Sequence, residues 1–249
     1  MMFKKLKAHE SDAVDSLKLI GDDTPFAICE AFRTLYTNIL YLPIEGKCKK
    51  IAVTSALPGE GKTYISINLA LTLAQNSDNR KILLIDADMR KPRIARMMKS
   101  FYDTKSNTSG LSEYLAGITE EPNIINTEIP NFSIVFSGAE SVNPAGLINS
   151  SRMAAFIKKC EEEYDYVIID TPPINVVSDA ALLVKHVDGY LVATRADYSN
   201  VNEVSDALDT LSKIEAPVFG IVLTGVEQKG RKYSSKGRYS GYSDYYSQR

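Results

Sequence analysis

Apolar residues in this 249-residue chain fall into short blocks whose internal spacing changes from one block to the next. In PFAICEAFRTLYTNILYL, Ile28, Phe32, Leu35, Ile39 and Leu40 recur at helical spacing, which predicts a helix with one buried face. Pro25 suits the first turn of that helix. KKIAVTS then gives a short, continuously apolar strand over 51–55, and a helical pattern follows over 64–75. KILLIDADMR, FSIVFSG, YDYVIIDTPP, GYLVAT and VFGIVLTG repeat the strand form. Helical patterns lie between them at 151–163, 178–187 and 200–214. Strands that are apolar throughout, separated by helices, predict a mostly parallel sheet covered on both faces. Ligands of such sheets bind beyond the carboxyl ends of the strands.

Three segments are expected: a polar N-terminal arm over 1–24, one α/β domain over 25–227 and a flexible tail over 228–249. Residues 100–110 read as a mobile loop. With 44% hydrophobic and 24% charged residues, the composition is that of a globular protein with an ordinary core. The net charge of −2 provides no field that would favour nucleic acid. Cys29, Cys48 and Cys160 have no metal-ligand spacing and read as small apolar residues. His9 and His186 lie far from every motif. No apolar run reaches the ~20 residues needed to cross a bilayer, and the basic start has no apolar segment behind it. The expectation is a cytoplasmic protein that reaches the membrane only through a partner.

ALPGEGKT, residues 56–63, follows a strand and opens a helix. It has the form of a phosphate loop with Ala56 at the usual first glycine. Gly59 and Gly61 let the backbone curl so that several N–H groups face one anion, and the helix adds its positive end. Pro58, Gly59, Glu60, Gly61, Lys62, Thr63 and Tyr64 are the candidate nucleotide contacts. Lys62 would reach the β- and γ-phosphates, and the Thr63 hydroxyl would ligate Mg²⁺. Two further strands end in carboxylates: Asp86 with Asp88, and Asp170. Residues i and i+2 at a strand end can face the same side. One acid would then accept a proton from an attacking hydroxyl while another helps place the metal. Asp88 and Asp170 join Thr63 as candidate metal ligands.

ALPGEGKT, LLIDADMRKP and YDYVIIDTPPINVVSDA together resemble the Walker A, A′ and B motifs of the bacterial tyrosine kinases, a branch of the deviant phosphate-loop ATPases. SGAESVNPAGLINSSRM and the Tyr-rich tail resemble that family too, so the likeness spans about residues 25 to 249. It implies a three-layer phosphate-loop fold, ATP and Mg²⁺ as cofactors, and transfer of phosphate to protein tyrosine in capsule and exopolysaccharide assembly. The implied partners are a transmembrane chain-length-determinant-type activator, further copies of the chain in a homo-oligomer (a ring in the family), and a cognate tyrosine phosphatase. Carried over residue by residue, Lys62 is catalytic. Asp86 is the first choice of proton acceptor and Asp88 the second. Tyr233, Tyr239, Tyr242, Tyr245 and Tyr246 are phosphoacceptors.

Two positions depart from the family pattern. The family's E-x-x-R-x-x-R helix keeps Glu30 and Arg33 as oligomer contacts, but Tyr36 stands at the second Arg. Thr224 stands where an Asn often reads adenine. The rival within the superfamily is a partition or division-site ATPase, which carries a signature lysine where Leu57 stands here. The rival outside it is a nucleotide-dependent scaffold without phosphotransfer.

The tail lacks Val, Ile, Leu and Phe from residue 229 onward, too little apolar surface to offset the entropy of ordering. Lys229, Arg231, Lys232, Lys236, Arg238 and Arg249 against Asp244 give it a net charge of +5. Such a segment suits entry, one phenol at a time, into an acidic site loaded with ATP.

Overall fold

The computed structural model describes residues 19–226, except 22, 78 and 104–108. Helix α1 (Phe26–Leu40) leads into strand β1 (Lys49–Ser55) and helix α2 (Lys62–Asn76). Next come β2 (Ile82–Asp86), the single turns α3 (Ile94–Met97) and α4 (Leu111–Leu115), β3 (Ile125–Asn126) and β4 (Phe132–Val135). Then follow α5 (Pro144–Ile148), α6 (Ser151–Glu163), β5 (Tyr166–Asp170), α7 (Asp179–Leu182), β6 (Gly189–Arg195), α8 (Val201–Lys213) and β7 (Val218–Thr224). The pattern over 178–187 splits into α7 and a 3₁₀ turn, Leu183–Lys185.

The strands form one sheet in the order β3-β4-β2-β5-β1-β6-β7, parallel apart from the short antiparallel β3. Ile51, Val53, Ile82, Leu84, Ile168 and Leu191 pack with α1 and α2 on one face. The alternate residues Leu83, Ile85, Val167 and Ile169 pack with α6 on the other. This three-layer α/β arrangement explains the continuous apolar runs: neither face of the central strands meets water. Helix α2 lies sandwiched between the sheet and α1. Ile65, Ile67, Leu69, Leu71 and Leu73 are at most 1% exposed, and burying each contributes about 1.5–3 kcal/mol.

The connection from β1 to β2 skips a position, and β5 fills the gap. Asp170 at the end of β5 therefore stands in register with Asp86 of β2 on one side and Val53 of β1 on the other. The three strand ends that carry the sequence motifs thus converge.

At the margins the structure adds detail. Leu19 packs against the core, and the backbone N–H of Ile20 donates to Asn68 Oδ1 at 2.8 Å, although both lie in the expected arm. Within the expected 100–110 loop, the Tyr102 ring packs 4.7 Å from Phe136. The tail tyrosines and His9 lie outside the described residues. All three cysteines are free thiols; Cys48 and Cys160 are buried, and burial raises the Cys48 pKa to about 12. No helix among the described residues is long and apolar enough to cross a membrane.

Candidate active site

Positive φ at Gly59 (89°) and Gly61 (91°) turns the chain out of β1 and into α2. Both angles lie in the left-handed region that glycine adopts without steric cost. No side chain caps the start of α2, so its first amide groups are available to an anion. Pro58, Gly59, Gly61, Lys62, Thr63 and Tyr64 line an open cavity. Asp88, Arg90, Lys91, Arg93, Pro172, Pro173 and Val176 form its other walls.

Lys62 Nζ lies 2.8 Å from Asp88 Oδ2 and 3.6 Å from Asp170 Oδ2. Burial pulls the Lys62 ammonium down, but Asp170 and Asp88 outweigh it, and its pKa ends above the ordinary value. The Thr63 hydroxyl donates to Asp170 Oδ2 at 2.7 Å, and the Ser66 hydroxyl to Asp170 Oδ1 at 3.1 Å. Asp86 is fully buried. Its oxygens accept the backbone N–H groups of Asp88 and Ile94, each at 3.2 Å. Burial, and then the charge of Asp170, raise the Asp86 pKa to about 8. Asp170 is raised for the same leading reason, desolvation, against the pull of Lys62.

The hydroxyl and carboxylate oxygens of Thr63 and Asp170 fit Mg²⁺, which takes few protein ligands and keeps waters and phosphate oxygens. Among the described residues no group of three or more His, Cys, Asp or Glu would cage a metal without such help.

The structure brings Lys62, Thr63, Asp86, Asp88 and Asp170 together. Glu60 and Thr224 sit behind the loop, outside the cavity lining. The Glu60 carboxylate accepts from Leu57 N (2.7 Å) and the Ser199 hydroxyl, and the Thr224 hydroxyl donates to Glu60 O at 2.8 Å. Glu30 and Arg33 pair with each other on the exposed side of α1. Tyr36, at the departed Arg position, turns inward, and its hydroxyl donates to Asn76 O at 3.0 Å. Sequence reasoning missed Ser66, although it lies one helical turn from Lys62. It also missed the bidentate Arg90–Asp179 pair, at 2.7 and 3.0 Å, whose partners are too far apart along the chain to leave a local signal.

A parallel sheet with a glycine-rich loop, its lysine and strand-end carboxylates defines a phosphate-loop nucleotide-binding protein. Residues 48–218 match the family model described as an AAA domain. The chain is 35% identical over 211 residues to the tyrosine-protein kinase CpsD of Streptococcus agalactiae, covering 84% of this chain and 89% of that protein. It is 31% identical over 237 residues to the tyrosine-protein kinase wzc of Salmonella typhimurium, covering 95% of this chain but 32% of that longer protein. The kinase domain of the Escherichia coli tyrosine kinase ETK superposes with a TM-score of 0.73 at 33% identity, over 84% of this chain and 79% of that one. The chain belongs to the bacterial tyrosine-protein kinases.

Proposed function

We propose that this chain transfers the γ-phosphate of ATP to tyrosines of its own C-terminal cluster, one copy acting on another. The observation that carries the reading is that Lys62, Thr63 and Asp88 line one cavity while the buried Asp170 bonds Thr63 and the buried Asp86 bonds the backbone of Asp88 behind them. Lys62 exchanges its carboxylate partners for the β- and γ-phosphates. Thr63 and Asp170 would hold Mg²⁺, with Asp88 beside them, and the ion would neutralise charge that builds on the phosphate oxygens. Asp86 takes the phenol proton, since a carboxyl group with a pKa near neutral is matched to that task. A second reading gives this role to Asp88, because Asp88 lines the cavity and Asp86 does not. Changing Tyr233, Tyr239, Tyr242, Tyr245 and Tyr246 together to Phe is expected to leave ATP binding intact and nearly abolish self-phosphorylation. Labelled ATP and a phosphotyrosine blot measure this, and undiminished phosphotyrosine overturns the assignment of acceptors.

A transmembrane activator docks a cytoplasmic segment beside the nucleotide, at the wall formed by Arg90, Lys91 and Arg93, and brings the kinase to the inner face of the membrane. The homo-oligomer, a ring in this reading, uses Glu30 and Arg33. Each phosphate adds about −1.5 to −2 charges, which turns the basic tail acidic, releases it from the neighbouring site and loosens the assembly until a phosphatase reverses it. The purified chain is expected to phosphorylate itself faster when the activator's cytoplasmic segment is added. Equal rates with and without it count against the activator.

A further inference from the structure

Three successive carbonyls of the phosphate loop are each held from behind. The Tyr198 hydroxyl donates to Pro58 O at 3.0 Å, Arg195 Nη1 to Gly59 O at 3.4 Å, and the Thr224 hydroxyl to Glu60 O at 2.8 Å. The donors come from the ends of β6 and β7 and the turn that follows β6. That turn is fixed in its own right. The Arg195 guanidinium lies 5.4 Å from the centre of the Tyr198 ring, a cation–π distance. The Ser199 hydroxyl accepts from Arg195 N at 2.8 Å and also bonds the Glu60 carboxylate.

A trans peptide unit is planar, and its C=O and the following N–H point in opposite directions. None of the three donors lines the cavity, so they hold the carbonyls of residues 58–60 outside it and leave the N–H groups of Gly59, Glu60 and Gly61 facing the opposite way. Two of these residues are glycines, whose backbone would otherwise sample many orientations. An anion site made of amides works best when they are aligned before the ligand arrives. Sequence motifs do not contain this support. Tyr198 and Arg195 lie more than a hundred residues beyond the loop and belong to none of the motifs.

We propose that Tyr198 and Arg195 are positioning residues: they brace the phosphate loop and so set the affinity for the phosphates of ATP, without contacting the nucleotide. The proposal rests on ATP phosphates binding in this loop. It separates from a direct contact to the base by the ligand that is affected. A brace acts through the amides, so its loss weakens any polyphosphate; a base contact matters only when a base is present.

The test is to titrate the full chain with Mg²⁺ and ATP, and with Mg²⁺ and inorganic tripolyphosphate. Wild type is compared with Tyr198→Phe, which removes only the hydroxyl, and with Arg195→Gln. Each variant is expected to weaken ATP and tripolyphosphate by the same factor, about 3–10-fold for one lost hydrogen bond. The KM for ATP rises accordingly, while kcat at saturating ATP stays within about twofold, as loss of binding shared by ground and transition states requires. Tyr198 is 42% exposed, so the variant should stay folded, its ligand-free thermal midpoint shifting by no more than the loss of one hydrogen bond. Unchanged affinity for both ligands in Tyr198→Phe overturns the brace. Weakening confined to ATP also overturns it and makes Tyr198 a base contact. Wild-type protein that binds neither ligand overturns the nucleotide site and the brace together.

Discussion

Lys62→Met is expected to abolish ATP binding and tyrosine phosphorylation, lowering the rate by at least about 10²–10³-fold, the typical cost of removing a group aimed at transition-state charge. The same substitution should change stability in a way the sequence does not suggest. In the sequence Lys62 is simply the cation that would reach the β- and γ-phosphates. In the fold its side chain is 12% exposed and bonds Asp88, with Asp170 3.6 Å away. Its removal leaves Asp86, Asp88 and Asp170 without that cation. Asp86 and Asp170, already raised by burial, should hold protons to still higher pH. The variant is therefore expected to fold near pH 5 and to lose stability relative to wild type as pH rises toward 9. Thermal melts across pH, with isothermal titration of ATP, measure both effects. Normal phosphotyrosine on folded Lys62→Met protein sinks the mechanism.

Asp86→Asn should separate stability from activity. The folded pKa of Asp86 is about 8, above the usual carboxylate value. A group raised on folding binds more protons in the native than in the unfolded state between those two values. Its favourable contribution is complete below about pH 4 and is lost as pH rises through about 8. Asparagine keeps the side-chain oxygen and removes the charge. The nucleotide-free variant should therefore be more stable than wild type at pH 8, by on the order of 1 kcal/mol or more. Activity has the opposite sign. If Asp86 accepts the phenol proton, wild-type kcat/KM rises with pH through about 8, the value in the free enzyme, and the variant loses about 10²–10⁴-fold together with that limb. Asp88→Asn provides the comparison. A pH limb that survives in Asp86→Asn and disappears in Asp88→Asn assigns the proton to Asp88 instead.

Much of this was legible without coordinates because it is local. A strand, two glycines able to take positive φ and a helix start are adjacent in the chain, so ALPGEGKT by itself determines a phosphate loop. Apolar runs such as ILLID and YVIID have no polar side to offer water, and this settles a sheet covered on both faces. Carboxylates at the ends of such strands must lie at one edge of that sheet.

The tertiary structure decided everything that depends on which strands are neighbours. Placing β5 between β1 and β2 is what puts Asp170 beside both Thr63 and Asp86; another strand order with the same local pattern would separate them. The fold alone pairs Arg90 with Asp179 and turns Tyr36 inward to Asn76. It sets Glu60 and Thr224 behind the loop rather than in the cavity. Hydrophobic period reports which side of an element is buried. It does not report which distant hydroxyl or guanidinium meets a particular carbonyl, because those contacts follow from strand order and register, and sequence spacing carries no trace of them.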